Sequence, residues 1–339
     1  MRADWKTPGS KLIVPLSEAA SDHERTRWLQ ARGGGIGGSD IAALLGESPY
    51  DDATPWFVWK DKTDPMWRAD EQKAVQTRGQ KMEPLVIAEF LLDPTIPEGM
   101  TVRRAGLHQS RTNPILLANV DRLTSDGGGL EAKTTTSFTI RSWAAEFGVG
   151  EPPTHYVRQA QWYCLVTGRS HWWLAILVVD SWELLVWRIE RDEDQFEFME
   201  TVASEFWRNH VELGIEPDPS DSMLELAQRY PQDDGSVVDL DPESDDAHRV
   251  AALIQERREI DAEMKPLKSR REAIDNQLRS IAAGNSEIQV GGKKAFSWKL
   301  SVSTKLDSKL LKEKEPDVWD RYSKTTSGRS LYVSASIFK

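Results

Sequence analysis

Ile115-Leu116-Leu117-Ala118-Asn119-Val120-Asp121-Arg122-Leu123-Thr124-Ser125-Asp126-Gly127-Gly128-Gly129-Leu130-Glu131-Ala132-Lys133-Thr134 is the stretch from which the fold is read. Asp121 closes an apolar run that predicts a strand over 115–120. Turn formers ending in three glycines follow, and a second short strand is expected over 130–134. Alternate side chains of a strand point to the same side, so Glu131 and Lys133 share a face and Ala132 points away. A hairpin turn brings Asp121 beside Glu131, and two carboxylates and an ammonium then converge on one spot. That set suits phosphodiester hydrolysis. Carboxylates are hard oxygen ligands for Mg²⁺, a bound metal activates water and stabilises charge on the phosphate, and a lysine orients the water or neutralises developing charge. Asp and Glu-x-Lys at this spacing also describe ordinary solvated strand ends, so the flanks must be read as well.

On the N-terminal side, 102–108 reads as a strand and 71–92 as a long helix carrying Arg78-Gly79-Gln80-Lys81-Met82-Glu83-Pro84. Glu83 sits among apolar neighbours just before a proline. It is a candidate carboxylate facing the site, against the alternative of a surface glutamate. Further upstream, a helix over 22–32 runs into Arg32-Gly33-Gly34-Gly35-Ile36-Gly37-Gly38-Ser39-Asp40 and then the apolar Ile41 to Leu45. Ser39 is the expected N-cap and Gly46 the C-terminal stop. One reading is a capped helix after a flexible loop. The sharper one is an anion site, because a helix N-terminus offers free N–H groups and Arg32 adds a bidentate charge. No strand precedes these glycines, so they do not indicate a dinucleotide fold. A short helix over 54–60 carries Trp56, Phe57 and Trp59, expected in the core.

On the C-terminal side, helices are expected over 137–147 and 154–167. In the second, Tyr156, Gln159 and Tyr163 share one face. Tyr156 and Gln159 are candidate DNA contacts, while a buried glutamine bonded to backbone is the alternative for Gln159. Strands over 171–179 and 182–189 and an amphipathic helix over 193–213 complete one α/β domain, a mixed central sheet flanked by helices, ending near Gly214.

Three hundred and thirty-nine residues suit two domains. No stretch approaches the ~18 continuous apolar residues of a membrane span, and Met1 to Lys6 lacks a signal-peptide centre. The single cysteine, Cys164, excludes an internal disulfide and a cysteine-based zinc site, which points to a cytosolic protein. The net charge of −11 speaks against nucleic acid only until its distribution is considered. Between Glu216 and Asp246 eleven acids face one base, Arg229, so this segment carries nearly all the excess. Its prolines make it an expected mobile linker over 215–247. Then Val250, Leu253, Arg257, Ile260, Met264, Leu267, Arg271, Ile274, Leu278 and Ile281 follow at alternating steps of three and four, coiled-coil spacing over 248–284. Pro266 is expected to kink that helix or split it into a hairpin. A small basic α+β tail over 285–339 closes the chain, with a hairpin around Gly291-Gly292, a helix over 308–321 and a last strand over 330–338.

These residues together resemble the YqaJ-type phage recombinase family, which is lambda-exonuclease-like and belongs to the PD-(D/E)xK nuclease superfamily. The resemblance runs from about Arg25 to Leu213 and rests on Arg32 with Ser39-Asp40, Gly79 with Glu83, Asp121, Glu131-x-Lys133 and Gln159-x-Gln161. It implies that Asp121 and Glu131 hold a catalytic Mg²⁺, for which Mn²⁺ substitutes, together with the carbonyl of Ala132. It implies that Glu83 supports the metal or a second one, that Lys133 acts on the water, that Arg32 and Ser39 grip a 5′-phosphate, and that Gln159 lies near the scissile phosphate. Asn119 departs from the pattern, standing where a serine is expected, and is carried as a DNA contact through its amide. The implied activity is a 5′→3′ exonuclease on double-stranded DNA ends that releases 5′-phosphomononucleotides. It would leave 3′ overhangs for a single-strand annealing protein, in the cytoplasm of a bacterium carrying the phage or prophage. Family members often form homo-oligomeric rings, which would confine positive charge to the lumen. Two other readings stay open: a structure-selective endonuclease with the same site, and a catalytically inactive recombination scaffold.

Overall fold

The hairpin quoted above lies at the centre of the sheet. In the computed structural model, which describes residues 3–15, 22–68, 74–326 and 328–333, β3 (Leu117–Thr124) and β4 (Gly129–Thr135) flank the glycine turn. Six strands run in the order β1 (Ser10–Pro15), β2 (Val102–Ser110), β3, β4, β5 (His171–Val178) and β6 (Glu183–Glu190). Every neighbouring pair is antiparallel except β4 and β5, which are parallel. A parallel pair needs a long crossover, supplied here by α5 (Ser137–Glu146) and α6 (Thr154–Thr167). β1 lies in a stretch from which the sequence yielded nothing. It is a short edge strand ending at Pro15, where a proline costs no ladder bond.

β5 is buried along its whole length and so reads as a continuous apolar run instead of an alternation. Its alternate residues feed two cores. Trp172, Leu174 and Ile176 pack with Ala160, Trp162 and Tyr163 of α6. Trp173, Ala175 and Leu177 pack on the other face with Val86 and Phe90 of α4 (Ala74–Leu92). The helix expected over 193–213 is a 3₁₀ turn, then α7 (Phe196–Phe206), then a π turn over Trp207–Glu212.

The chain divides into two compact units, Met1–Arg229 and Tyr230–Lys339. The acidic segment expected as a linker therefore begins inside the first unit. There α8 (Met223–Arg229) places Glu225, fully buried, against the N-terminus of α3 (Pro55–Thr63), where it accepts from Thr54 Oγ1 at 2.5 Å and pairs with Arg229. Trp56, Phe57 and Val58 of α3 are buried, as expected for the first two.

In the second unit, α9 (Asp245–Ala282) runs unbroken through Pro266, neither split nor folded into a hairpin. The proline removes one N–H, but every residue around it is exposed, so the freed carbonyl of Ala262 is open to solvent. β7 (Glu287–Val290) and β8 (Lys293–Ser297) form the expected hairpin, and the expected helix over 308–321 is two, α10 (Ser308–Lys314) and α11 (Pro316–Tyr322). Residues 330–333 carry no strand; 334–338, the rest of that expectation, lie outside the described residues.

Candidate active site

The site is built where β3 and β4 part. Their ladder has only two pairs, Arg122 with Leu130 and Leu123 with Gly129. One step further, the Asp121 carboxylate takes over from the backbone: its Oδ2 accepts from the Ala132 N–H at 3.2 Å. That bond sets Asp121 beside Glu131, as the sequence predicted. Glu131 is buried, with a relative exposure of 4%. Its Oε1 accepts from Gln159 Nε2 at 2.9 Å and is ion-paired with Lys133 Nζ. Its Oε2 is buried and has no partner at all.

Electrostatics follow from this crowding. Burial and then the neighbouring Glu131 push the Asp121 carboxyl up to about 7, against the pull of Lys133 and the Ala132 N–H. Burial works against the Lys133 ammonium, but Glu131 together with Tyr156, Asp121 and Tyr163 outweighs it and holds the pKa well above the usual lysine range. Lys133 Nζ also lies 5.3 Å from the Tyr156 ring centroid. Gln159 donates to Tyr163 Oη as well, at 2.6 Å, so it is bonded to side chains and not to backbone. Glu83 reaches the same neighbourhood, its pKa raised by burial and then by Asp121. It is answered by Arg122, whose Nη1 lies 2.6 Å from its Oε1. Arg122 in turn donates to the Asp121 carbonyl at 2.7 Å. The sequence offered no reason to single out Arg122, since its partner lies 39 positions away on another element.

Among the described residues, no group of three or more His, Cys, Asp and Glu side chains converges as a ready-made metal cage. What remains is a pair of carboxylates with one unpartnered buried oxygen between them. A buried acceptor without a partner is costly, and two facing carboxylates in a low-dielectric site repel. A divalent cation would relieve both, so these residues fit one.

Arg32 and Ser39 lie in an adjoining cleft of about 440 Å³ that also includes Trp28, Tyr50, Lys62 and Arg68. Ser39 is not the cap: α2 (Gly38–Leu44) is preceded by Gly37 as N-cap, and Asp40, not Ser39, closes the turn by accepting from the Gly37 N–H at 2.8 Å. The third helical position reaches that N–H more easily than the second, so the serine hydroxyl is left facing Arg32, 3.5 Å from its Nη2. Arg32 stacks over Trp28, 5.6 Å to the ring centroid, and pairs with Asp40 at 3.3 Å. Lys62, 1% exposed at the side chain, holds the other Asp40 oxygen at 2.6 Å. Lys62 was missed in the sequence because nothing local marks a lysine that will be buried.

Two contacts join cleft and carboxylates. A Cβ on Gly38 would meet Gln159 and Tyr163 at 2.9 Å, so only glycine lets α2 approach α6 this closely. Tyr50 Oη lies 3.1 Å from Tyr156 Oη. Gly35 serves the same end, since a Cβ there would meet the Ile115 carbonyl at 2.3 Å. The glycine loop is therefore a packing device against the start of β3. Asn119 accepts from Trp28 Nε1 at 3.1 Å through its amide oxygen, which leaves its NH₂ as a donor.

A mixed six-stranded α/β domain with paired carboxylates and a lysine at the splayed end of its central strands is the class that the fold and site define. A model of the YqaJ-like viral recombinase domain matches residues 27–170. The protein YqaJ of Bacillus subtilis (strain 168) is 31% identical over 321 residues, covering 92% of this chain and 95% of that one. The chain belongs to the YqaJ-like viral recombinase family. The match to the Bacillus protein is long enough to reach well into the second unit. Among solved structures, an alkaline exonuclease from Laribacter hongkongensis is similar at 23% identity and a TM-score of 0.44, over 56% of this chain and 94% of that one. A phage related exonuclease from Haemophilus somnus 129PT is similar at 11% identity and a TM-score of 0.36, over 53% of this chain and 94% of that one. Among the described residues no helix is long and apolar enough to cross a membrane.

Proposed function

We propose that the protein is a divalent-metal-dependent exonuclease on double-stranded DNA ends. It degrades the 5′-terminated strand to 5′-phosphomononucleotides and leaves a 3′ overhang for a single-strand annealing partner during viral recombination. The observation that carries this reading is the unpartnered Glu131 Oε2 beside Asp121, with Lys133 and Gln159 in contact with the same carboxylate. Asp121, Glu131 and the carbonyl of Ala132 would hold the ion, with Glu83 in support. Bound there, Mg²⁺ or Mn²⁺ supplies an activated water and charge stabilisation at the phosphate.

The rest is the work of the chain's own side chains. Gln159 fixes one Glu131 oxygen, so the other stays aimed into the site. Lys133 is kept charged by Glu131 and meets the attacking water or the charge growing on the phosphate. Arg32, backed by Trp28, offers a guanidinium to a terminal 5′-phosphate, and Ser39 adds a hydroxyl beside it. Asn119, with a free NH₂, and Tyr156 line the path of the strand between cleft and carboxylates. An end-gripping cleft beside the acidic pair favours exonuclease over endonuclease action.

The test uses purified protein with Mg²⁺, and separately Mn²⁺, on three labelled substrates: a linear duplex with a 5′-phosphate, the same duplex with a 5′-hydroxyl, and a closed circle. Loss of the phosphorylated linear strand from its 5′ end, with the other two spared, is the expected result. Cutting of the circle would move the assignment to an endonuclease. No cutting with either metal would leave a recombination scaffold.

A further inference from the structure

The 38-residue α9 presents a long apolar seam that stays largely exposed among the described residues of its unit. Leu253 is 56% exposed, Met264 41%, Leu267 64%, Ile274 48% and Ile281 64%. The seam keeps a strict three-four alternation, so written as a heptad it has Val250, Arg257, Met264, Arg271 and Leu278 at one core position (a) and Leu253, Ile260, Leu267, Ile274 and Ile281 at the other (d). Pro266 falls on the outer surface of that heptad, two positions past Met264, where it obstructs no partner.

We infer that α9 is the dimerisation element of this protein, pairing with α9 of a second copy as an antiparallel two-stranded coiled coil. The two seam arginines decide both the partner and its direction. In a parallel, in-register pair, like core positions meet. Arg257 would then face Arg257 of the second copy, and Arg271 would face Arg271, with two pairs of like charges stacked in an apolar seam. In an antiparallel pair each a position meets a d position. Centred between Lys265 and Pro266, every layer is filled: Val250 with Ile281, Leu253 with Leu278, Met264 with Leu267, Arg257 with Ile274 and Ile260 with Arg271. The residue following each d position then flanks the facing arginine. That places Asp275 of one copy beside Arg257 of the other, and Asp261 beside Arg271. Within one copy Asp275 already lies 4.0 Å from Arg271, so the pairing would extend isolated contacts into a ladder of alternating charge. Asp261 and Lys268 also face each other across the same edge. Two copies of one sequence satisfy all of these positions because the seam is near-palindromic about its centre.

Cysteine cross-linking in the full-length protein tests the pairing and its direction together. The native Cys164 is buried and does not compete. Leu253→Cys with Leu278→Cys should form a disulfide-linked dimer on mild oxidation, while Leu253→Cys alone should stay monomeric on a denaturing gel, because antiparallel copies hold their two 253 positions ~37 Å apart at 1.5 Å per residue. A charge swap adds an independent readout. Arg257→Asp should lower the cross-linking yield of the double-cysteine protein several-fold, and adding Asp275→Arg should restore it. A cross-linked dimer from Leu253→Cys alone would overturn the antiparallel geometry. No cross-link in either protein, with α9 helicity intact by circular dichroism, would overturn self-pairing and leave the seam to another protein. Nuclease activity enters none of these readouts, so the dimer and the proposed function stand or fall separately.

Discussion

Two buried carboxylate clusters lie side by side in the first unit and behave in opposite ways. Asp40 has both oxygens answered, by Arg32 on one and by Lys62 and the Gly37 N–H on the other. Burial alone would raise its pKa, but the two cations outweigh burial and hold it well below the usual carboxylate range. Asp121 is half-buried, its charged neighbours include a second carboxylate, and its pKa rises to about 7. Beside it Glu131 keeps an oxygen with no partner. The Asp40 carboxylate is fully answered by the protein alone, and that fixes the start of α2. The second cluster has one positive charge too few. A buried charge that is fully paired is a brace; one left incomplete is a place for something else to bind.

The largest effect expected from that contrast is on stability. Asp40→Asn leaves the Lys62 ammonium buried without its carboxylate and should cost about 3–5 kcal/mol in denaturant unfolding. A change below about 1 kcal/mol would mean that Lys62 escapes to water and that the brace is not structural. Asp121→Asn should do the reverse. It removes the repulsion with Glu131 while its amide oxygen still accepts from Ala132, so the melting temperature should not fall. Cleavage should drop by about 10²–10³-fold, the usual consequence of losing one group that stabilises a transition state. The same variant should lose any rise in melting temperature that Mg²⁺ gives the wild type. The stabilisation behind such a rise is about 2.7 kcal/mol at a hundred-fold excess over Kd, and an unaltered rise in the variant would place the ion elsewhere.

The smallest effect separates the clusters by pH. Because the folded pKa of Asp40 is depressed, its contribution is present above the unfolded carboxylate value of ~3.9 and is lost as pH falls below it. The stability gap between wild type and Asp40→Asn should therefore be constant from pH 5 to 8 and narrow only below about pH 4, measured by urea titration across that range. A gap that narrows near neutrality would contradict the brace.

Much of this was legible along the chain. The Asp121 and Glu131-x-Lys133 pattern, the crossover helix over 154–167, and the five strands from β2 to β6 follow from apolar period and turn chemistry, which are local. β1 escaped because Ser10 to Pro15 is short and lies at an edge, so little of its pattern is imposed by burial. Ser39 as cap was a reasonable local choice, but the cap falls two positions earlier at Gly37, where Asp40 reaches back to close the turn. Arg122 and Lys62 could not be found, since each acquires its role from a partner on another element. The helical part of the acidic segment escaped for a similar reason: Glu225 reads as solvated until Thr54 and Arg229 enclose it.

The sequence by itself determined that Asp121, Glu131 and Lys133 meet at one hairpin and where most helices and strands fall, because backbone period and side-chain type are properties of neighbours along the chain. The charge state of that chemistry was decided only in the tertiary structure. Whether a carboxylate ends as a satisfied brace or an open ligand depends on what the fold places within a few ångströms of it in low dielectric, and that distance is not written in the spacing of residues.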